Sequence, residues 1–496
     1  MGRFGYALAQ SFLHAFLYLG LLMLLFRFLR MLPLLALLLL PCAQAADLPA
    51  TLDRVLKGHG LEAGSYGFVV QEIDAAEPLL AVAPDLPLNP ASTIKTLTTL
   101  AALETLGPAY TWHTRAYALG EVSQGTLHGD LLLQGGGDPY LLEEQFRNLL
   151  KAVRRQGIVR IDGDLVVDTS LFDPSVRNES RIDNQAGRTY NVLPHALSVN
   201  FQAITYYFAP AADGVNVDIS TDPMLPGQRI VNRLKLKAGA CTGFQRGISF
   251  NYDAATPGGV TFDGQFPASC TRYAMARAVS DPDRYLHALF SHLWHELGGE
   301  FTGNLRLEPV PAEATLLVDW ESPPLADVIR ALNKYSNNLM ARHLLLTLAA
   351  EHNPGPATVQ AGAAALVEYL QGIGVEVATA RIVNGAGLSR DTRLSTAQLN
   401  AVLRHGYQSR YMAEFVSSLP VVGEDGTMRT RLRGAATQGY MHVKTGTLDE
   451  VSAVAGYVVG QSGRVYAVSG ILNHALADRG PGVELMDALL AWTRQQ

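Results

Sequence analysis

The stretch from Asn89 to Leu106 carries a lysine where a folded chain can least easily hold one. Asn89-Pro90-Ala91 opens a helix and Gly107-Pro108 stops it, as start and stop chemistry predicts. Between them, Ile94, Leu97, Leu100, Ala101 and Leu103 leave the helix apolar on most sides, so it must be central and buried. Any fold of this sequence has to wrap other elements around that helix and still accommodate Lys95. Ser92 stands three residues earlier, and residues i and i+3 share a helix face. Read as mere structure, Ser92 is a helix N-terminal residue and Lys95 a solvated charge. That fits poorly, because a lysine in so apolar a helix would be stranded without a role.

The rest of the chain supplies the wrapping. Gly67 to Glu72 and Leu79 to Val82 read as short strands before the helix. Near the other end, Tyr440 to Lys444, Val451 to Val459 and Arg464 to Leu472 read as consecutive antiparallel strands. Gly460-Gln461-Ser462-Gly463 turns the second into the third, and Pro481 to Trp492 closes the chain as a helix. Strands at both ends with a buried helix between them predict one sheet assembled from both termini. Leu325 to Ala350 reads as one long helical region. From about Ala109 to Pro311 the texture changes to short alternating runs, such as Leu127 to Leu133, broken by glycines. This stretch reads as inserted β-rich material with one helix at Pro282 to Leu297.

The bulk numbers set limits. A chain of 496 residues, 48% hydrophobic and 17% charged, can bury a large core and divide into two or three domains. A net charge of −6 and no run of lysines and arginines exclude a nucleic-acid footprint. Residues 5 to 26 are apolar, Arg27 and Arg30 follow, and a second apolar run spans Leu32 to Leu40. Ala43 and Ala45 then give the small-x-small pattern of a signal-peptidase site, so residues 1–45 are expected to be a removable leader and the mature chain periplasmic. A shorter reading from Met23 keeps a basic start, the apolar run and the same site. The alternative is an uncleaved anchor over residues 5 to 26. Pro41 before Cys42 argues against a lipoprotein. Export leaves Cys241 and Cys270, an even count in an oxidising compartment, which favours a disulfide over two free thiols. No histidine lies at ligand spacing from either, so a metal pair is not expected.

Three short motifs occur in order: Ser92-Thr93-Ile94-Lys95, Ser336-Asn337-Asn338 and Lys444-Thr445-Gly446. Each alone is weak, since an S-x-x-K or S-x-N arises roughly once or twice by chance in a chain this long and K-T-G roughly one time in ten. Context strengthens them: the first opens a buried helix, the second falls in a helical segment and the third ends a strand. Together they resemble the signature set of penicillin-binding proteins and serine β-lactamases. The residue types suit nucleophilic catalysis. A serine hydroxyl needs a base, and a lysine, normally titrating at about 10.4, becomes one when burial and a second cation lower its pKa. Lys444 would be that cation and would also bind a terminal carboxylate, with Thr445 and Thr447 beside it. Ser336 would relay a proton to the leaving amine. Asn338 would orient Lys95 and the substrate amide, and the backbone N–H groups of Ser92 and Thr447 would form an oxyanion hole.

Further segments carry a specific resemblance. Pro90-Ala91-Ser92-Thr93, Gly136-Gly137-Asp138-Pro139, Ile161-Asp162-Gly163, Val167-Asp168-Thr169-Ser170, Asn333-Lys334-Tyr335-Ser336-Asn337-Asn338, Asn384-Gly385-Ala386-Gly387-Leu388-Ser389 and Lys444-Thr445-Gly446-Thr447 are similar to the class C low-molecular-mass penicillin-binding proteins, the D-Ala-D-Ala carboxypeptidase/endopeptidase family. The resemblance implies an α+β fold: a transpeptidase/β-lactamase-like domain, an antiparallel sheet flanked by helices, over 46–108 and 312–496. A large β-rich insertion would form two smaller domains, one from 109–210 and 280–311 and one from 211–279. It implies peptidoglycan stem peptides as substrate, β-lactam antibiotics as covalent inhibitors and no cofactor or metal, and is compatible with peripheral membrane association.

One stretch departs from the family. Some relatives carry an acidic residue soon after the Asp-Thr-Ser segment, held to bind the free amino group of the substrate's diamino acid. Gly187-Arg188-Thr189-Tyr190-Asn191-Val192 has no carboxylate, so both activities are expected, with weaker dependence on that amine than in relatives carrying the acid. His292-Leu293-Trp294-His295-Glu296 has the order H-x-x-H-E, not that of a zinc motif, and reads as an amphipathic helix. His442 shares a strand face with Lys444 and reads as lining before general base. A serine β-lactamase shares the motifs, but the separation of Ser92 from Ser336 is far longer than a compact one needs. A non-catalytic peptidoglycan-binding scaffold is the remaining rival, and intact Ser92, Lys95 and Lys444 argue against it.

Overall fold

The computed structural model describes residues 48–496 except 179–181, 226, 254–255 and 353. The expected leader and anchor therefore lie outside the described residues. Helix α1 (Ala50–Gly58) leads to strands β1 (Tyr66–Glu72) and β2 (Leu80–Val82). A tight 3-10 turn, Ala91–Ile94, then runs into helix α2 (Lys95–Leu106), every residue of which is buried from Lys95 to Leu103. The helix predicted from Asn89 thus has two parts, with Ser92 in the tight turn and Lys95 at the first α-helical position.

The inserted part follows as β3 (His113–Ser123), β4 (Thr126–Gln134), α3 (Glu143–Arg155), β5 (Arg160–Ile161), β6 (Leu165–Asp168), β7 (Ala203–Pro210), β8 (Val217–Asp222), β9 (Ile230–Lys237), β10 (Ile248–Tyr252), β11 (Val260–Pro267), β12 (Tyr273–Ala278), α4 (Pro282–Glu296), β13 (Glu300–Phe301), β14 (Leu305–Leu307) and β15 (Thr315–Glu321). Its strands form a seven-stranded sheet and two three-stranded sheets, β12-β7-β8 and β10-β11-β9. One hydrophobic cluster runs through all three, from Leu131 and Phe146 to Phe208 and Phe262. The sequence pattern pointed to α4 but not to α3, although Phe146, Leu149, Leu150 and Val153 form a helical stripe and all four are buried. Two expected boundaries fall inside paired elements. β15, beyond 311, pairs with β3, and the 210/211 boundary lies in the hairpin joining β7 and β8. Cys241 and Cys270 are bridged, with their Cα atoms 5.0 Å apart.

The last third comprises α5 (Leu325–Tyr335), α6 (Asn338–His352), α7 (Val359–Gly372), α8 (Thr396–Gln408), α9 (Met412–Ser418), β16 (Met441–Leu448), β17 (Val451–Val459), β18 (Val465–Asn473) and α10 (Pro481–Arg494). The single long helix expected over 325–350 is broken at Ser336, whose φ is +56°. That left-handed residue caps α5 and lets α6 start in a new direction.

A five-stranded antiparallel sheet, β16-β17-β18-β1-β2, joins the two chain ends, with Tyr66 opposite Leu472. Strand alternation sorts its side chains between two cores. Ala453, Ala455 and Tyr457 of β17 face the cluster built on α2, α5, α6 and α8, while Val454 and Val458 face the one containing Leu56 of α1 and Leu489 of α10. The fold is α+β, and α2 lies at the centre of the first core.

Candidate active site

Three segments remote in sequence meet at the start of α2. Ser92 ends up there because strand β16 passes hard against its turn. A Cβ on Gly446 would lie 2.6 Å from the Pro90 carbonyl oxygen and 3.1 Å from the Ser92 nitrogen. Only glycine allows that approach, which gives the third residue of Lys444-Thr445-Gly446 a steric reason. The motif lies within β16, not at its end.

Lys95 is fully buried. Its Nζ lies 2.8 Å from Ser92 Oγ, 2.7 Å from Asn338 Oδ1 and 2.5 Å from the Ala386 carbonyl oxygen. Burial first, then the charges of Lys444 and Arg342, hold its pKa well below the usual lysine range. A neutral amine has two N–H groups and one lone pair. Asn338 and Ala386 offer only oxygens in those contacts and take the two N–H groups. The lone pair is left for the hydroxyl proton of Ser92.

Lys444 is also fully buried, and burial pushes its pKa down to about 7. Its Nζ donates to Ser336 Oγ at 2.9 Å and to the Thr445 carbonyl at 2.8 Å. The left-handed backbone at Ser336 is what turns its hydroxyl toward Lys444, a strained conformation of the kind that concentrates at functional sites.

A cleft of about 420 Å³ opens over these groups, lined by Ser92, Ser336, Asn338 and Thr447. Thr445 is not part of that lining; its hydroxyl bonds Thr427 Oγ1 at 2.9 Å. His442 turns away and bonds the Val416 carbonyl oxygen at 3.1 Å. In the His292–Glu296 segment, His292 pairs with Glu296 and His295 bonds the Ser291 carbonyl.

The far wall of the cleft was not foreseen from the sequence. Asp183, Arg390, Asp449 and Asp478 line it together with Tyr190. Asp183 precedes the stretch read as lacking a carboxylate, but the chain folds it back onto that stretch. The Tyr190 hydroxyl donates to Asp183 Oδ2 at 2.6 Å and Asn191 Nδ2 donates to Oδ1 at 3.1 Å. The expectation of a cleft without an acid in this position is therefore corrected. Asn338 Nδ2 also donates to the Tyr190 carbonyl at 3.2 Å, tying the segment to Lys95's partner.

Comparison with known proteins follows the same lines. A D-alanyl-D-alanine carboxypeptidase of Actinomadura sp. (strain R39) is 29% identical over 440 residues, 85% of this chain and 80% of that one. The D-alanyl-D-alanine carboxypeptidase DacB of Haemophilus influenzae is 26% identical over 417 residues, 83% of this chain and 86% of the relative. The crystal structure of penicillin binding protein 4 from Haemophilus influenzae superposes with a TM-score of 0.76 at 25% identity, covering 90% of this chain and 99% of that one. The model of the D-Ala-D-Ala carboxypeptidase 3 (S13) family matches residues 48–496. With the match spanning every described element, the chain belongs to that family of serine peptidases, among the low-molecular-mass penicillin-binding proteins.

Proposed function

We propose that the protein is a D-alanyl-D-alanine carboxypeptidase and endopeptidase of peptidoglycan stem peptides, working through an acyl-enzyme on Ser92. The observation that carries the residue roles is the environment of Lys95, whose two carbonyl acceptors leave its lone pair for the serine proton. Ser92 Oγ attacks the carbonyl of the penultimate D-alanine and its proton passes to Lys95 Nζ. The N–H groups of Ser92 and Thr447 receive the developing oxyanion. As the tetrahedral adduct collapses, the C–N bond breaks and the departing amine takes the proton from Lys95 by way of Ser336. Water then attacks the ester, Lys95 takes one of its protons and passes it to Ser92 Oγ as the acyl C–O bond breaks, and the shortened peptide leaves with a free carboxyl group.

Lys444, with Thr447, binds the terminal carboxylate, while Thr445, turned to Thr427, takes no part in that contact. Asn338 orients Lys95 and the substrate amide. The departing amine is free D-alanine in one reaction and the side-chain amine of a neighbouring stem peptide in the other, and the acylation is common to both. Asp183 gives the cleft a carboxylate suited to a free side-chain amine. A β-lactam presents a strained amide and a carboxylate to the same groups. In line with this, penicillin binding protein 4 of Haemophilus influenzae has been crystallised with a β-lactam. The mature chain works outside the cytoplasm, in the periplasm; the Cys241–Cys270 bridge supports an oxidising compartment.

Intact-mass measurement after incubation with penicillin tests the reading. A single adduct that maps to Ser92 and is absent from Ser92→Ala is the expected result. An adduct on another serine, or none, overturns the mechanism.

A further inference from the structure

Ser336 and Lys444 stand 108 residues apart in the chain and are joined directly by one hydrogen bond of 2.9 Å. A second, indirect link spans the same gap. Lys334, two residues before Ser336, is buried. Its Nζ donates to the Leu419 carbonyl oxygen and to Asp425 Oδ2, both at 2.7 Å. Asp425 Oδ1 accepts from the Val421 N–H, also at 2.7 Å. The carbonyl oxygen of Lys334 meets the same segment, since a Cβ on Gly426 would lie 2.6 Å from it. Side chain and backbone of one residue thus grip the segment 419–426 at both ends.

That segment is in turn laced to β16. The Val443 N–H donates to the Pro420 carbonyl oxygen at 2.8 Å, and the Val422 N–H donates to that of Met441 at 3.0 Å. Just past Gly426, Thr427 accepts the hydroxyl of Thr445, the neighbour of Lys444. The segment is therefore a strap between the end of α5 and the strand that carries Lys444. Stability alone is a weak reason for a lysine here, because apolar side chains of similar volume often replace buried ion pairs without loss. A long stem ending in three donors does what an apolar residue cannot, holding a carbonyl and a carboxylate at the two ends of the strap. We propose that Lys334, paired with Asp425, is a positioning residue that sets the separation of Ser336 from Lys444 and so governs the proton relay to the departing amine. The proposal rests on the reading of Ser336 as that relay. With the pair cut, backbone bonds keep the strap on β16, and the displacement falls on the end of α5 and on Ser336.

Two substrates given to the full protein separate this role from general support. In a peptide amide the C–N bond breaks and the leaving amine must gain the proton that Lys95 took from Ser92. In a thioester of the same acyl peptide with mercaptoacetate, the C–S bond breaks and the thiolate departs without that proton, still presenting a carboxylate to Lys444. For both, kcat/KM reports acylation. Lys334→Met should lower kcat/KM on the amide about a hundredfold, the scale of loss that a displacement of about 1 Å brings. Asp425→Asn, at a half-exposed position, should lower it about tenfold, while thioester cleavage by either variant stays within about twofold of wild type. Crystal structures of both variants should show Ser336 Oγ beyond hydrogen-bond distance of Lys444 Nζ, with Ser92 and Lys95 still in contact. Equal losses on the two substrates, no loss on the amide, or an intact Ser336–Lys444 bond would overturn the proposal. A wild type that cleaves neither substrate would instead count against the functional reading, and the crystal structures are read without turnover.

Discussion

The Tyr190 hydroxyl holds Asp183 at 2.6 Å, so a carboxylate stands in the catalytic cleft although the segment around Tyr190 contains none. Asp183 is exposed and ready for a cation. Asp183→Asn is expected to lower kcat/KM about ten- to a hundredfold on peptides with a free side-chain amine, in line with the worth of a hydrogen bond to a charged group. Peptides with that amine acetylated should be cleaved equally by both proteins. A parallel loss on both substrates would mean that Asp183 shapes the loop without touching the amine.

The two buried lysines set opposite limbs of the pH profile. Lys95 is a base only when neutral, and Lys444 holds a carboxylate only when charged. Both are lowered by burial, Lys444 to about 7. The profile of kcat/KM should therefore rise as Lys95 loses its proton and fall as Lys444 loses its own above about 7. A bound carboxylate restores the charge on Lys444, so the falling limb of kcat should lie at higher pH. Coincident falling limbs would remove Lys444 from carboxylate binding.

The same burial makes Lys444 a stability liability. Unfolded, it titrates near 10.5; folded, at about 7. Between those values the unfolded chain holds the extra proton, so stability rises with pH across that window. Lys444→Met should raise the melting temperature at pH 7, by on the order of a few kcal/mol in stability, while abolishing activity. An unchanged or lower melting temperature would show that its bonds to Ser336 and Thr445 outweigh its desolvation.

Asp138 titrates against stability from the other side. Its side chain is buried with Oδ2 unpaired among the described residues, and burial raises its pKa to about 7. The folded protein keeps this proton from the unfolded value near 3.8 up to about 7, so stability falls as pH rises through that window. Asp138→Asn preserves the acceptor for the Tyr140 N–H and cannot ionise. It should match the wild type at pH 4 and exceed it at pH 8 in chemical denaturation. Equal stabilities at pH 8 would mean that Asp138 is solvated.

Gly446→Ala should abolish acylation in a chain that still folds, because the new methyl meets the Pro90 carbonyl and the Ser92 nitrogen. Circular dichroism together with penicillin labelling checks this. Wild-type labelling would show that the turn can yield.

Much of this centre is legible in the sequence because its information is local. Ser92 and Lys95 are neighbours by helix geometry, and an apolar helix around a lysine signals burial by its pattern alone. That strands from both ends share one sheet is legible from strand-like runs at each end with a buried helix between them; β17 and β18 are buried on both faces, so alternation does not mark them. The break at Ser336 is not legible, since tertiary contact with Lys444 offsets the cost of a left-handed serine and nothing in Ser336-Asn337-Asn338 announces it. Ala386 contributes a carbonyl oxygen, which no side-chain pattern encodes. Asp183 is hidden for a different reason: its position depends on a loop held by Tyr190 and Asn191 and pinned to β12. The helix α3, by contrast, has a readable apolar stripe that its β-rich surroundings obscure.

The pairing of Tyr66 with Leu472 gives the chain an order of events. The ribosome releases β1 before the other described strands and β18 after them, and among the described residues no other strand completes the partnership of β1 on that side. Contacts so distant along the chain are slow to form, whereas the inserted strands find most of their partners among themselves. The insert can therefore mature while the catalytic half waits, and Gly446 cannot press against Ser92 until β16 has emerged. A nascent chain halted before that point carries Ser92 and Lys95 but not the strand whose Gly446 packs against their turn.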